Sequence, residues 1–158
     1  MKPFATIFCA VLLVVSSASC KKHSNGTASG DYLIIGTAGG FVGGASEPYY
    51  FINGTQFKKD TSLKFHTPPS DNNAFNFSIV LPSPAFDSVK GLLQQIPAEL
   101  ISSGSQSIGG IWPDFGYTEV RASINGKQYV WLFQADITKS SQAVQDFEQK
   151  VHVVFNYN

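Results

Sequence analysis

The sequence predicts an α+β fold: mainly an antiparallel β-sheet, with two hairpins and one or two packed helices. Asn-Gly pairs at 53–54 and 125–126 each separate two extended runs. This dipeptide favours a hairpin turn because both of its residues accept positive φ. The segment after Ser83-Pro84 instead carries apolar residues at helical spacing. The two periodicities in one short chain indicate a sheet and helices in the same domain.

The strands follow from alternation and turn residues. A β-rich run begins at Asp31 and ends in a glycine-dense loop over 36–44. In the run after Gly126, apolar residues occupy both faces, so we expect this strand to be central and covered on both sides. The predicted extended segments are residues 32–35, 48–59, 75–81, 117–124, 127–137 and, at the C-terminus, 151–157.

Two helices are predicted. Ser83 is a suitable N-cap with Pro84 at the first helical position, and apolar residues at helical spacing continue to Ile96, where Pro97 interrupts them. A shorter helix begins near Ser141, because apolar residues after it form one stripe. We expect these helices to cover the sheet.

The N-terminus has the layout of a secretory signal. Lys2 supplies the positive charge, Phe4 to Val15 the apolar run, and Ser16 to Ser19 the small residues before the cut. The apolar run is shorter than the ~20 residues that span a bilayer. We therefore predict a signal peptide over residues 1–19, an anchor and flexible tether over 20–30, and one globular β-rich domain over 31–158.

Ser17-Ala18-Ser19-Cys20 resembles the lipobox of bacterial lipoproteins. The resemblance implies that Cys20 is acylated, becomes the new N-terminus and carries several fatty chains, which together anchor a protein stably. It also implies export and attachment to a bacterial envelope membrane, on its periplasmic or surface face. The alternative is an ordinary signal peptide cut after Ser19, which leaves Cys20 as a free thiol.

Cysteine usage favours acylation. Cys9 leaves with the signal, so the mature chain keeps one cysteine and forms no internal disulfide. A lone exposed thiol is a liability in an oxidising compartment. Acylation of Cys20 removes that liability.

Charge and composition exclude several partners. Without the signal, 139 residues carry 10 basic and 11 acidic side chains, because Lys2 is lost. This balance, without basic runs, predicts no nucleic-acid partner. The Lys21-Lys22 pair is shorter than the clusters of about 4–8 basic residues that bind membranes. We read it as a solubilising stop after the apolar run.

The sequence offers no recognisable catalytic or cofactor motif. The glycine-dense loop lacks a P-loop lysine, so we interpret it as a strand connection and expect no cofactor. His23, His66 and His152 are scattered, which predicts no metal site. Four carboxylates could pair for glycoside hydrolysis, but solvated surface carboxylates are the commoner case. These four are Glu99, Asp114, Glu119 and Asp136.

The segment from Gly110 to Tyr117 is the best candidate for a ligand site. Its aromatic side chains and one carboxylate stand in a Gly/Pro-broken loop, where rings are free to stack on a flat ligand such as a sugar face. The alternative is that these rings fold back onto the core. Tyr49 and Tyr50 share this ambiguity, and alternation places one of them outward. The candidate residues are Trp112, Asp114, Phe115, Tyr117, Tyr49 and Tyr50.

These observations favour a membrane-anchored, non-enzymatic domain that binds a ligand or partner in the cell envelope. The partners considered are a carbohydrate or an envelope protein, besides the membrane that holds the anchor. A small anchored hydrolase acting on glycans or peptides, using loop carboxylates or His66, is the first alternative. A structural component of an envelope complex is the second.

Overall fold

The computed structural model describes residues 30–38, 48–62, 75–110, 116–134 and 136–157. Strands and helices within these ranges form an α+β fold on one mainly antiparallel sheet. The strands are β1 (Tyr32–Ala38), β2 (Tyr50–Asn53), β3 (Phe57–Lys59), β4 (Ile79–Val80), β5 (Gln106–Ile108), β6 (Tyr117–Ile124) and β7 (Lys127–Phe133). The helices are α1 (Ser83–Val89), α2 (Ala98–Ser103) and α3 (Gln142–His152), with 3₁₀ turns at Leu92–Gln95 and Val153–Tyr157.

The sheet has the order β4-β3-β2-β1-β6-β7-β5, with β1 at its centre. All neighbouring strands are antiparallel except β5 and β7, which are parallel. β1 pairs with β2 on one side and, along its whole length, with β6 on the other. The strand that opens the domain is therefore held between two others.

The second hairpin forms as predicted, and the first forms with a different turn. Asn125 and Gly126 have φ of 50° and 76°, and Ile124 pairs with Lys127 across them. This is the two-residue turn that Asn-Gly favours. The first hairpin pairs Ile52 with Phe57, so its loop contains four residues. There Asn53 Oδ1 accepts bonds from the backbone N–H groups of Thr55 and Gln56 at 2.9 and 2.8 Å.

The core lies between the helices and one side of the sheet. Its largest member is Trp131, which is fully buried, stacks on Tyr129 and donates from Nε1 to the Gly104 carbonyl at 3.0 Å. α3 contributes an apolar stripe of Val144, Phe147 and Val151. Burial of such side chains is the main favourable term in folding. We call this side of the sheet the first face, and the opposite side the second face.

The helical region after Ser83 is shorter and more broken than the spacing predicts. Ser83 is the first helical residue, and Pro82 takes the N-cap position. α1 ends at Val89, a 3₁₀ turn follows, and Pro97 precedes α2. The apolar stripe still faces the core, with Val89 and Leu92 buried. The predicted packing is confirmed, although α1 and a 3₁₀ turn replace the one continuous helix, and α2 follows Pro97 where no helix was predicted.

Three predicted strand segments differ from the structure. Residues 151–157 complete α3 and a 3₁₀ turn, because their apolar side chains continue the helical stripe. Within 75–81 only Ile79–Val80 form a strand, and Phe75 and Phe77 pack on the second face instead. β7 ends at Phe133 and lies next to the β5 edge, with Val130 and Leu132 half-buried on the second face.

The two ends of the sheet differ in what they carry. At one end lie the start of β1 and both hairpin loops, near Tyr32, Asn53 and Ile124. We call this the turn end. At the other end, β1 and β7 finish at Ala38 and Phe133, while β2 and β6 begin at Tyr50 and Tyr117. We call this the loop end, because the connections after β1, β3, β5 and β7 leave from it.

None of the helices within the described ranges has the length and apolarity to cross a bilayer. Residues 1–19, where a signal peptide is predicted, and residues 20–29 lie outside those ranges.

Candidate functional site

Near the loop end, a tyrosine directly before β2, a glycine in β1 and a glutamate in β6 form a row. β1 pairs with β6 so that Gly36 faces Glu119. The β1–β2 register pairs Ile35 with Tyr50, which brings Tyr49 beside Gly36 on the other side. A Cβ atom on Gly36 would lie 2.4 Å from the Tyr49 ring. The ring therefore crosses the β1 backbone, and this close approach requires glycine.

The row ends in a buried ion pair. The Tyr49 hydroxyl donates to Glu119 Oε2 at 2.7 Å, and Arg121 Nε donates to Glu119 Oε1 at 2.8 Å. The side chains of Arg121 and Glu119 are 4% and 0% exposed. A buried carboxylate needs such charge-assisted partners, because desolvation of an unpaired charge is very unfavourable. We call Tyr49, Glu119 and Arg121 the buried polar row.

Two phenylalanines cover the row and the apolar residues beside it. The Arg121 guanidinium lies 5.2 Å from the Phe75 ring centre, within the range of a cation–π contact. Phe75 also packs on Tyr49 at 4.7 Å between ring centres and stacks on Phe77 at 5.3 Å. Phe77 in turn contacts Phe51. We call Phe75 and Phe77 the aromatic cover; both rings are half-buried.

Asp60 holds the aromatic cover in place. Its side chain is buried, and Oδ1 accepts from the backbone N–H of Ser62 at 3.0 Å and of Asn76 at 2.6 Å. Oδ2 accepts from the Ser62 hydroxyl at 2.6 Å. The Asp60 N–H donates to the Tyr49 carbonyl at 2.7 Å. The Asp60 carboxylate thus links Asn76, which is next to Phe75, to the end of β3.

The surroundings of the row raise the pKa of its one tyrosine, Tyr49, and of Tyr117 beside it. Burial, and then the negative charge of Glu119, raise the pKa of Tyr49 far above its ordinary value. The same two causes raise the pKa of Tyr117. Each phenol therefore remains a hydrogen-bond donor. In this arrangement the row fixes the positions of β1, β2 and β6 near the loop end.

The structure brings together two of the predicted site residues and separates a third. Tyr117 begins β6 at the loop end and is half-buried beside the apolar residues of the second face. Tyr49 lies on that same face. Tyr50 lies on the first face, inside the core with Phe57 and Phe155. Alternation does place the two tyrosines on opposite faces, but both faces are covered there, so neither ring is exposed.

The remaining predicted residues lie outside the described ranges. These are Cys20, Trp112, Asp114 and Phe115. The segment that contains the last three is flanked by Gly110 and Gly116, and Gly116 directly precedes Tyr117 at the loop end. The Gly110 N–H donates to the Asp136 carbonyl at 3.2 Å, which joins this connection to the one after β7.

The described carboxylates considered for hydrolysis are engaged in local contacts. Glu119 belongs to the buried polar row, where its side chain has no exposed surface. Glu99 on α2 accepts a hydrogen bond from Ser141, the N-cap of α3. Bonds from Thr138 lower the pKa of Asp136, which favours its ionised form. Each of these contacts stabilises the fold around it.

Metal ligands do not converge in the part of the chain that the structure describes: it holds no group of three or more His, Cys, Asp or Glu side chains placed to bind an ion. His23 and His66 lie outside the described residues. His152 lies at the end of α3, not on the predicted C-terminal strand. There its Nε2 is 2.5 Å from Glu148 Oε1.

Comparison with known proteins gives no relative. No family model, no curated protein and no solved structure matches the chain.

Sequence reasoning missed the buried polar row. Glu119 and Arg121 alternate with Val120 and Ala122, a pattern that is typical of a strand with one solvated face. Gly36, which we predicted to begin the glycine-dense loop, lies inside β1 instead, and it was the available signal because a glycine within a strand often marks close approach of another group.

Proposed function

We propose that this protein is a lipid-anchored, non-enzymatic domain of the bacterial cell envelope, and that it binds a ligand or partner at the loop end of its sheet. The acylation of Cys20 is part of the proposal, supported by the lipobox-like sequence and the cysteine usage of the mature chain.

The observation that carries the binding site is the rigid support beneath Tyr117. The buried polar row links β6 to the residue before β2 across β1, and Glu119 lies two residues from Tyr117 on the same strand face. Binding residues are commonly found on loops that a rigid scaffold positions, and a site is effective when its supporting residues are locked. Tyr117 and Phe75 are half-buried, so each ring has a surface that a ligand could contact.

The chemistry of this surface favours a neutral ligand with apolar faces. The charge of Glu119 is compensated by Arg121 and shielded from solvent, so aromatic rings remain as the contact groups. Tyrosine combines a large apolar ring with one polar group, which suits a sugar ring or an apolar protein patch. The carbohydrate or envelope protein expected from the sequence fits this description.

The test uses the full-length processed protein in detergent micelles, titrated with solubilised cell-wall glycan fragments and with extracted envelope proteins. Tyr117→Ala should weaken binding at least about tenfold, as truncation of a central aromatic contact commonly does. Tyr157→Ala is the matched control, because Tyr157 is also half-buried but packs with the first-face core.

Three results would contradict the proposal. Equal affinities of the Tyr117→Ala and Tyr157→Ala variants would show that the loop end is not the binding surface. A free thiol at Cys20, detected by mass spectrometry, would show that the protein has no lipid anchor. Turnover of a glycan or peptide by the wild-type protein would favour the hydrolase instead.

A further inference from the structure

The place where the N-terminal segment joins the domain defines a membrane side and a partner side. Asp31 precedes β1 at the turn end, and its Oδ1 accepts a hydrogen bond from the Asn125 N–H at 2.8 Å. This bond fixes the start of the domain to the second hairpin turn. The chain from Cys20 therefore reaches the domain at the turn end and not at the loop end.

The length of the connecting segment limits how far the turn end is from the anchor. Residues 21–30 separate Cys20 from Asp31. A flexible polar segment of this length has an average end-to-end distance of ~17 Å. From the turn end, the seven residues of β1 run to the loop end, which at ~3.3 Å per residue adds about 20 Å.

We infer that the turn end faces the membrane and that the loop end is presented to the aqueous side, where it meets its partner. This inference rests on the proposed acylation of Cys20. For the loop end to contact the bilayer, the tether would have to stretch along the whole sheet to about 20 Å, beyond its average extension of ~17 Å. The loop end is therefore expected to face the aqueous side more often than the bilayer lipid.

The surface at the turn end agrees with a position beside lipid headgroups. Its exposed residues include Asp31, Gly54, Thr55, Gln56, Asn125, Gly126, Lys127 and Gln128. These are small or polar residues with one negative and one positive charge. The half-buried rings Tyr117 and Phe75 lie on the second face, and Tyr117 begins its strand at the opposite end.

The test compares two threonines at opposite ends of β3. Thr55 lies in the first hairpin loop, Thr61 follows the end of β3 at the loop end, and both are exposed. Thr55→Cys and Thr61→Cys each introduce one thiol, because acylation occupies Cys20 and Cys9 leaves with the signal. A fluorophore on each thiol is measured in phosphatidylcholine vesicles that contain some lipid with a quencher on its headgroup.

Quenching should be at least about threefold stronger at position 55 than at position 61, because about 20 Å separates the two positions along the strand. A second variant with a tether of twice the length should reduce this ratio, since the average reach grows with the square root of length. Equal quenching, or stronger quenching at position 61, would overturn the inferred orientation.

Failure of the anchor gives a different result. If Cys20 is not acylated, the unsubstituted protein itself takes up the fluorophore and does not remain with the vesicles. That outcome would contradict the proposed function. If the parent protein takes up no fluorophore and the two variants are quenched equally, only the inferred orientation is contradicted.

Discussion

The two faces of the sheet are covered by different kinds of side-chain contact. The first face packs large apolar side chains against the helices, with Trp131 at the centre. The second face combines an aromatic cover with the buried polar row of Tyr49, Glu119 and Arg121. Apolar packing is non-directional, whereas an ion pair with hydrogen bonds is stable in one geometry only. The difference suggests that the first face mainly supplies stability and the second defines the arrangement of strands at the loop end.

The largest effect is expected on the first face. Trp131→Ala should reduce the free energy of unfolding by about 3–5 kcal/mol, because it leaves a cavity in the core and removes the bond to Gly104. Urea denaturation followed by circular dichroism measures this. A loss of less than about 1 kcal/mol would show that the core collapses around the missing ring.

Removing one member of the buried ion pair should lower the free energy of unfolding by as much as Trp131→Ala does, or by less. Glu119→Ala leaves Arg121 buried without this carboxylate, and such changes reduce stability by about 3–5 kcal/mol. Replacing both, as Glu119→Leu with Arg121→Met, together with Tyr49→Phe to remove the hydroxyl that donates to Glu119, should be much less harmful, because apolar residues often substitute well for a buried pair. A triple variant as unstable as the single one would contradict the comparison of the faces.

Gly36→Ala tests the close approach of Tyr49. The added methyl group would overlap the ring, so we expect a loss of about 1–3 kcal/mol in unfolding free energy. Gly54→Ala is a suitable control, because no atom lies within 4 Å of a Cβ atom there. Thermal denaturation of both variants measures the difference. Equal melting temperatures would show that the ring moves aside without loss.

The smallest effect concerns His152. Its hydrogen bond to Glu148 raises its pKa above the ordinary value of about 6.5, and the charge of Glu148 adds to this, although partial burial opposes it. Because the folded pKa is raised, the stabilisation is complete below pH 6.5 and is lost as the pH rises through the folded pKa. The side chain is half-exposed, so the effect should be about 0.5 kcal/mol.

The measurement is the free energy of unfolding at pH 5.5 and pH 8.5 for the wild-type protein and for His152→Gln. The variant should lose this part of the pH dependence. An unchanged pH profile would show that the contact between His152 and Glu148 does not stabilise the fold.

The hairpins and the sheet class could be predicted because their signals are local. Asn125-Gly126 determines its turn through backbone preference alone, and the structure confirms it. The C-terminal segment was wrongly predicted to be a strand. Its apolar residues alternate in sequence, but in so short a run they also continue the apolar stripe of α3, which precedes them. Phe75 and Phe77 alternate like a strand but serve as a cover, a role that depends on the distant Tyr49 and Arg121.

The candidate site was predictable only in part, for the same reason. Tyr117 was identified from its aromatic neighbours in sequence, and its position at the loop end is compatible with that prediction. The contact of Tyr49 with Glu119 joins residues that are 70 positions apart. No local pattern encodes such a contact, and it depends on the pairing of β1 with both β2 and β6.

The central position of β1 has a consequence for folding order. Tyr32 of β1 pairs with Ser123 of β6, which lies far along the chain. The edge of β1 that faces β6 therefore stays unpaired until β6 is available. Pairings of such long sequence separation give high contact order and slow folding. Until β6 pairs with β1, the apolar residues of β1 remain exposed and prone to aggregation.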